Sequence, residues 1–404
     1  DSAESEVWSL RTLSVAFAKV ADSAESASNR RAAGSDLQTI AMFEKQVEAN
    51  LQRLHDELRS GMYRPRPVRR VWIPKPGTHE KRPLGIPTVR DRVVQTALRM
   101  VIEPIFERDF AASSYGFRPG RGCKDALRRV DALLRAGYTH VVDVDLKSYF
   151  DTIPHAKLGL RLRSKLADGR VLELVEAYLT QRVMDGLETW TPVQGSPQGA
   201  TLSPLLSNIY LDPLDHQMAE RGFEMIRYAD DMVVLCRSES EAREALDLVQ
   251  AWTAEADLTL HPIKTRIVNA NRSGFEFLGY RFERGSRWPR NKSRQRLQEA
   301  IRSKTRRTNG HSLTKIIADV NRTTRGWFEY FKHSHRWTFT RLDAWIRMRT
   351  LLSPRLRSIL RKRHGRRGRG RGADHHRWPN AYFTTRGLFL MATTHAAVCQ
   401  SARR

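Results

Sequence analysis

Apolar residues recur every three or four positions through much of the first sixty residues. SLRTLSVAFAKVADSAE and FEKQVEANLQRLHDEL both show that spacing, which predicts amphipathic helices. SNRRAAGSD between them reads as a loop, because small and polar residues interrupt the period. From Gly61 the pattern changes. GMYRPRPVRRVWIPKPGTHEKRPLGIP is dense in Pro, Gly and basic residues; VRRVWI suits a strand, and KPGTHEKRP a turn between two strands. Helical periodicity returns in DRVVQTALRMVIEPIFERDF (91–110) and CKDALRRVDALLRAG (123–137). HVVDVDLKSYFD (140–151) reads as a strand carrying acidic residues. VLELVEAYLTQRV is helical, and QGSPQGATLSPLLSNIYLDPLDHQMAERG (194–222) is a loop entering a helix. MIRYADDMVVLC, with apolar arms around two carboxylates, suits a hairpin. SEAREALDLVQAWTAEADL is helical, and FEFLGYRFER is a strand pair. The order is mixed α/β with irregular spacing and no internal repeat.

After about Ser293 helical periodicity dominates and Arg, Lys, Trp and His become frequent, as in LTKIIADVNRTTRGWFEYF and FTRLDAWIRMRTLLSPRLRSILRKR. HGRRGRGRG (364–372) reads as a basic, Gly-rich linker, and RWPNAYFTTRGLFLMATTHAAVCQSARR as a compact tail. The expected organisation is a helical N-terminal extension (1–60), a mixed α/β body (61–290), a helical region (291–363) and a basic linker with its tail (364–404).

Charge adds a partner to this picture. The 404 residues carry a formal net charge of +26, and 40% are hydrophobic, so the chain is globular and strongly basic. That much positive charge opposes compaction unless a polyanion offsets it, and nucleic acid is the natural one. No membrane partner is expected: no run of about 18 apolar residues exists, and no lipidation signal is present. Cys123, Cys236 and Cys399 are far apart and odd in number, which argues against a disulfide framework or a cysteine-rich zinc site. The expected compartment is a reducing cytoplasm. The first residue is Asp1 and not Met, so a processed or incomplete start is expected.

RYADDMVVLC raises the chemical question. Asp230 and Asp231 are adjacent carboxylates beside a hydrophobic run. They repel one another, and burying either is costly unless a cation or donor compensates. A hairpin turn explains them, since Asp is a common turn residue. Half of a divalent-metal site explains them equally well. A two-metal site needs a further carboxylate from a separate segment. VVDVDLKSYFD offers Asp143, Asp145 and Asp151; in a strand, 143 and 145 share a face, and spacing does not choose between them.

The ordered set DVDLKSYFD, GSPQGATLSPLLSNIYL, RYADD and FEFLGY resembles a reverse transcriptase palm. With YRPRPVRRVWIPK, KRPLGIPTVRDRVVQTAL, EPIFERDF, SYGFRPGR, GWFEYF and RWPNAYFTTRGLF, the chain resembles the group II intron reverse transcriptase/maturase family. The resemblance covers nearly the whole chain and is weakest before about residue 40. It implies an α+β right-hand polymerase: fingers and palm with an antiparallel palm sheet, an α-helical thumb (the maturase X region), and a small basic DNA-binding region. The activity implied is RNA-directed DNA polymerisation, with maturase assistance to intron splicing and retrohoming. The implied partners are group II intron RNA, an RNA template with a DNA or RNA primer, target DNA and dNTPs. Two Mg²⁺ ions are implied, with Mn²⁺ as a substitute.

Position by position, the resemblance implies that Asp145, Asp230 and Asp231 are the catalytic metal ligands. Phe150 matches the ring that excludes a ribose 2′-hydroxyl; without the resemblance it reads as a core aromatic. Gln198 and Gly199 match the loop along the incoming nucleotide, and Lys75 and Arg82 the basic finger residues on its triphosphate. Leu278 and Gly279, in FEFLGY, match the primer grip. Lys264 matches a position proposed to protonate pyrophosphate. In the basic C-terminal third, Trp327, Tyr330, Arg366 and Arg367 are candidates for nucleic-acid contact, although most aromatics there are expected to be helix core as well. Near the start, the family's glycine-rich stretch reads NRRAAGSD; its first glycine is replaced, while Arg30 and Arg31 keep a phosphate-binding capacity. Asp374, His375 and His376 suggest a polar stretch more than a metal site. With Cys399 alone nearby, the zinc-bearing nuclease domain of many family members is not expected. The competing readings are a reverse transcriptase retained for defence or repair, and an RNA-binding splicing factor with a silent polymerase.

Overall fold

The computed structural model describes residues 9–23, 32–74, 80–306, 311–351 and 380–401. The chain forms two compact units, Asp1–Val268 and Asn269–Arg404.

The first unit begins with α1 (Leu10–Ser23), α2 (Ile40–Glu44) and α3 (Val47–Arg59). Leu13, Ala16, Phe17 and Val20 of α1 form one buried stripe at helical spacing. Strands β1 (Val68–Pro74) and β2 (Lys81–Ile86) pair antiparallel, with Ile73 opposite Arg82. The long α4 (Val89–Glu107) follows, capped by Thr88, whose hydroxyl accepts the Asp91 N–H. Next come α5 (Cys123–Arg135), β3 (His140–Asp145), the single turn α6 (Tyr149–Thr152), α7 (His155–Arg163) and α8 (Gly169–Leu179). A short hairpin, β4 (Val183–Asp185) and β5 (Glu188–Trp190), joins the first one, giving a sheet of order β2-β1-β4-β5.

Helix α9 (Ser203–Glu220) leads into the hairpin β6 (Glu224–Tyr228) and β7 (Asp231–Cys236), then α10 (Glu239–Glu255) and β8 (Arg266–Asn269). The second sheet has the order β6-β7-β3-β8, with β6–β7 and β7–β3 antiparallel. Val141, Val142 and Val144 of β3 and Met232 to Cys236 of β7 are almost wholly buried. These strands therefore anchor in the core, and their polar ends meet at one edge.

The expected strand over 140–151 ends at Asp145. Lys147 N–H donates to the Thr259 carbonyl, and Ser148 takes φ +52, which turns the chain into α6. Alternation of side chains along the strand gives no warning of that turn, because the residues that bend it lie in a distant loop. The hairpin β4–β5, the strand β8 and the helix α7 also lie outside the elements that periodicity predicts, because each is too short to show a period.

The second unit holds the meander β9 (Phe275–Phe277), β10 (Tyr280–Glu283) and β11 (Ser286–Pro289), in the order β11-β10-β9. Its helices are α11 (Asn291–Lys304), α12 (Leu313–Phe331), α13 (Trp337–Leu351), α14 (Asn380–Thr384) and α15 (Met391–Ser401). Their core includes Ile301, Ile317, Val320, Phe328, Phe339 and Phe383. Asp343 of α13 is almost completely buried and accepts the backbone N–H groups of Met391 and Ala392, which caps α15.

Candidate active site

The carboxylates of the two acidic motifs are brought together by strand register. In the β3–β7 ladder Asp145 lies opposite Asp231, and cross-strand partners share a face. In the β6–β7 hairpin Tyr228 lies opposite Asp231, so Ala229 and Asp230 form a two-residue turn. Ala229 takes φ +59, a conformation usually left to glycine, which stores strain at this turn. Asp145 and Asp143 project from alternate positions of β3, and different partners hold them. Lys264 Nζ lies 3.2 Å from each carboxylate oxygen of Asp145. Arg266 Nε lies 3.7 Å from Asp143 Oδ2.

Burial holds the Asp230 carboxyl above the usual carboxylate range, and the charge on Asp145 pushes the same way. The cations of Arg82 and Arg227 oppose that shift, which places the β1–β2 hairpin within electrostatic reach of the acidic turn. Among the described residues, no three His, Cys, Asp or Glu side chains close a metal-binding cluster by themselves. The chemistry of the donor set nonetheless fits a hard divalent cation. All donors are carboxylate oxygens, and Asp230 is destabilised in its charged form by a like-charged neighbour that a cation would offset.

Phe150, Gln198 and Gly199 also converge. The loop after β5 is held to α6 by Ser196 N–H to the Phe150 carbonyl at 2.6 Å and Gly195 N–H to the Ile153 carbonyl at 2.8 Å. It is held to β2 by Gly85 N–H to the Gln198 carbonyl at 2.7 Å. Gly199 has φ +105, and a Cβ there would stand 2.7 Å from both the Gly85 carbonyl oxygen and Leu84 Cδ1. Glycine is thus required twice over, by conformation and by space. Gln95, buried in α4, accepts the Thr201 N–H at 2.9 Å and fixes the far end of the loop. Two cavities flank this joint. One of about 530 Å³ is lined by Arg70, Trp72, Asp151, Trp190 and Gln198. The other, of about 560 Å³, is lined by Lys19, Leu84, Arg92, Arg99 and Gly199. Phe150 is half-buried, packs against the core and meets Tyr149 edge-on at 5.4 Å.

In the second unit, Leu278 (φ +45) and Gly279 (φ +82) form the β9–β10 turn, with the two positive φ values of a type I′ hairpin. Tyr330 donates its hydroxyl to the Leu278 carbonyl at 2.7 Å, and Arg290 N–H donates to the Gly279 carbonyl at 2.9 Å. Tyr330 and Trp327 pack against Phe331, with ring centroids 4.8 and 4.6 Å away. Lys75, Arg30, Arg31, Arg366, Arg367 and the stretch Asp374–His376 lie outside the described residues.

Several polar residues not singled out by motif surround the acidic turn. Arg227 and Asp215 are both fully buried and form a bidentate ion pair, with Nε at 2.8 Å from Oδ1 and Nη2 at 2.5 Å from Oδ2. Arg227 Nη1 donates to Asn208 Oδ1 at 2.9 Å and to the Ala229 carbonyl at 3.0 Å. Asn208 Nδ2 in turn donates to the Gly116 carbonyl at 2.8 Å. The available signal was the spacing of Asn208 and Asp215, seven residues or about two turns apart on α9, which puts two polar groups on one face.

An antiparallel sheet with carboxylates at the end of its central strands, a basic hairpin in electrostatic reach of them and a glycine-dependent loop between define the palm and fingers of a right-hand polymerase. The chain belongs to the reverse transcriptase (RNA-dependent DNA polymerase) family, which matches residues 73–282. A second match, to the maturase-specific domain of group II introns, covers residues 294–378. Among curated relatives, Protein YkfC of Escherichia coli (strain K12) is 36% identical over 290 residues, covering 62% of this chain and 76% of YkfC. The group II intron-encoded protein LtrA of Lactococcus lactis subsp. cremoris is 38% identical over 168 residues, covering 42% of this chain and 28% of LtrA. A 91 kDa protein in the cob intron of Schizosaccharomyces pombe is 30% identical over 288 residues, covering 57% of this chain and 35% of that protein. The chain thus spans most of the first relative and about a third of the other two. Among the described residues, no helix is long and apolar enough to cross a membrane.

Proposed function

We propose that this protein is the RNA-directed DNA polymerase of a group II intron and also its maturase. The observation that carries the reading is the register of β3 against β7, which sets Asp145 opposite Asp231 and leaves Asp230 in the turn beside them. Asp145, Asp230 and Asp231 would hold two Mg²⁺ ions, or Mn²⁺ in their place. When bound, such ions lower the charge repulsion of a phosphoryl transfer and orient its oxygens. The chain's own residues do the rest. Arg82, with Lys75, provides cations for a dNTP triphosphate. Gln198 and Gly199 present a shaped backbone along the nucleotide, and the Phe150 ring occupies the space a 2′-hydroxyl would need. Lys264, held on Asp145, is a candidate proton donor to the leaving pyrophosphate. The Leu278–Gly279 turn guides the primer end.

As a maturase the chain would bind intron RNA through its basic second unit, with Trp327, Tyr330, Arg366 and Arg367 contributing, and Arg30 and Arg31 adding phosphate contacts from the N-terminal side. Template RNA, a DNA or RNA primer and target DNA are its other partners, and the cytoplasm its site of action. Primer extension on an RNA template with Mg²⁺ and dNTPs, set beside Asp230→Ala, tests the polymerase. Activity in the wild type and loss of about 10³-fold or more in the variant is expected, since a metal-borne transition state loses a ligand. Equal activity in both proteins would sink the assignment. Sequencing the RNA that co-purifies tests the maturase reading: one structured intron should dominate, and a random mixture counts against it.

A further inference from the structure

We infer that Arg227, Asp215 and Asn208 are positioning residues that aim the Ala229–Asp230 turn. The inference rests on the polymerase reading above and adds to it the device that holds the acidic turn in place. The turn has a problem that sequence alone does not solve. A two-residue hairpin loop with an alanine at φ +59 is strained, and it must hold the Asp230 carboxylate beside the cross-strand pair Asp145–Asp231. Such a turn needs outside support to keep one orientation.

The support comes from three directions. From below, the Arg227 guanidinium sends Nη1 to the Ala229 carbonyl, fixing the peptide plane between Ala229 and Asp230. From α9, Asp215 takes the rest of the guanidinium fork, and Asn208 accepts a hydrogen bond from the same Nη1. From the segment before α5, Gly116 lies against the turn: a Cβ there would stand 2.2 Å from Ala229 N. That segment is itself tied to the hairpin, with Arg227 N–H to the Ser113 carbonyl at 2.9 Å and Tyr115 N–H to the Arg227 carbonyl at 2.8 Å. Asn208 closes the ring by donating to the Gly116 carbonyl.

A buried ion pair alone is weak evidence for stability, since apolar residues of similar volume often do as well. Here all three guanidinium nitrogens have hydrogen-bond partners. Two nitrogens serve Asp215 and the third serves the turn and Asn208, a task a lysine ammonium or an apolar pair does not reproduce. The arrangement therefore specifies the geometry of the acidic turn as well as filling the core.

The test compares wild type, Arg227→Lys, Asn208→Ser and Gly116→Ala, with Asp230→Ala as the inactive control. Thermal unfolding, kcat and KM for dNTP at saturating primer–template, and Mn²⁺ affinity by water-proton relaxation are read for each. Arg227→Lys keeps a cation on Asp215 but loses the fork. Asn208→Ser keeps the ion pair and adds no bulk. The expected result, per folded molecule, is a kcat loss of about 10²-fold from turn displacement, with KM within about twofold. Mn²⁺ binding should weaken by about tenfold, as when a ligand's supporting partner is removed. Wild-type kcat and Mn²⁺ affinity in the folded variants would overturn the inference, as would a raised KM with kcat intact. If Arg227→Lys or Gly116→Ala does not fold, Asn208→Ser decides. A wild-type protein unable to extend a primer would overturn the polymerase reading instead, and the Mn²⁺ comparison would still judge the turn.

Discussion

At the scale of single residues, the site shows how one side chain serves packing and chemistry together. Phe150 is half-buried against Tyr149, and its backbone carbonyl accepts the Ser196 N–H from the loop that carries Gln198. Reading it as a core aromatic or as a sugar gate is therefore not a choice between exclusive roles. If it is the gate, Phe150→Ala should relax discrimination against ribonucleotides by about tenfold or more while costing stability, since truncating a buried Phe typically loses about 3 kcal/mol. Competition between dNTP and rNTP in single-nucleotide extension measures this; unchanged discrimination would remove the role. Asp343 carries a second prediction. Burial lifts its carboxyl to about 6, above the usual range, and the Met391 and Ala392 amides only partly oppose that. A raised folded-state pKa means the native state holds the proton longer. This group's contribution to stability is then present below about pH 4, falls as pH rises toward 6, and is gone above it. Relative to wild type, Asp343→Asn should therefore gain stability between pH 4 and pH 7, by at most about 3 kcal/mol. Thermal melts of both proteins across that range check the sign.

At the scale of elements, the joint between β2 and the SPQG loop matters most. Gly199 meets Leu84 and Gly85 so closely that even a methyl group has no room, and its φ of +105 disfavours any side chain. Gly199→Ala should destabilise by about 1–3 kcal/mol, and it should shift the loop relative to β2. Urea unfolding and KM for dNTP report the two effects separately. An unchanged KM would show that the loop's placement does not govern nucleotide binding. Most of the longer elements were legible from periodicity: α1, α3, α4, α5, α8, α9 and α10, the β1–β2 hairpin and the RYADD hairpin are where their apolar spacing put them. The misses have one cause. β4, β5 and β8 are three or four residues long, too short to show a period; β4 and β8 join strands distant in sequence, and β5 pairs with β4. The end of β3 at Asp145 is of the same kind, because Thr259 and His261 bend the chain there.

At the scale of the whole molecule, charge governs the behaviour. A net charge of +26 over 404 residues implies many phosphate contacts. If six to ten phosphates are neutralised, affinity for RNA should fall by about 10³–10⁵ between 50 and 200 mM salt. Filter binding over that range measures the slope, and a shallow slope would mean that recognition depends mostly on stacking and shape.

What the sequence determined by itself was the set of chemical groups and their order: the acidic motifs, the glycine of SPQG, the hairpins and the basic C-terminal third. These are local or ordered along the chain, so periodicity and motif spacing carry them. Spacing left Asp143 and Asp145 open and the motif resemblance pointed to Asp145, but only the tertiary structure sets Asp145 opposite Asp231, because strand register sets that pairing and register depends on the partner strand. It alone showed that Arg227, Asp215, Asn208 and Gly116 meet around the turn. Those residues come from three separate segments, and a buried network is a property of their packing, which no stretch of the chain contains by itself.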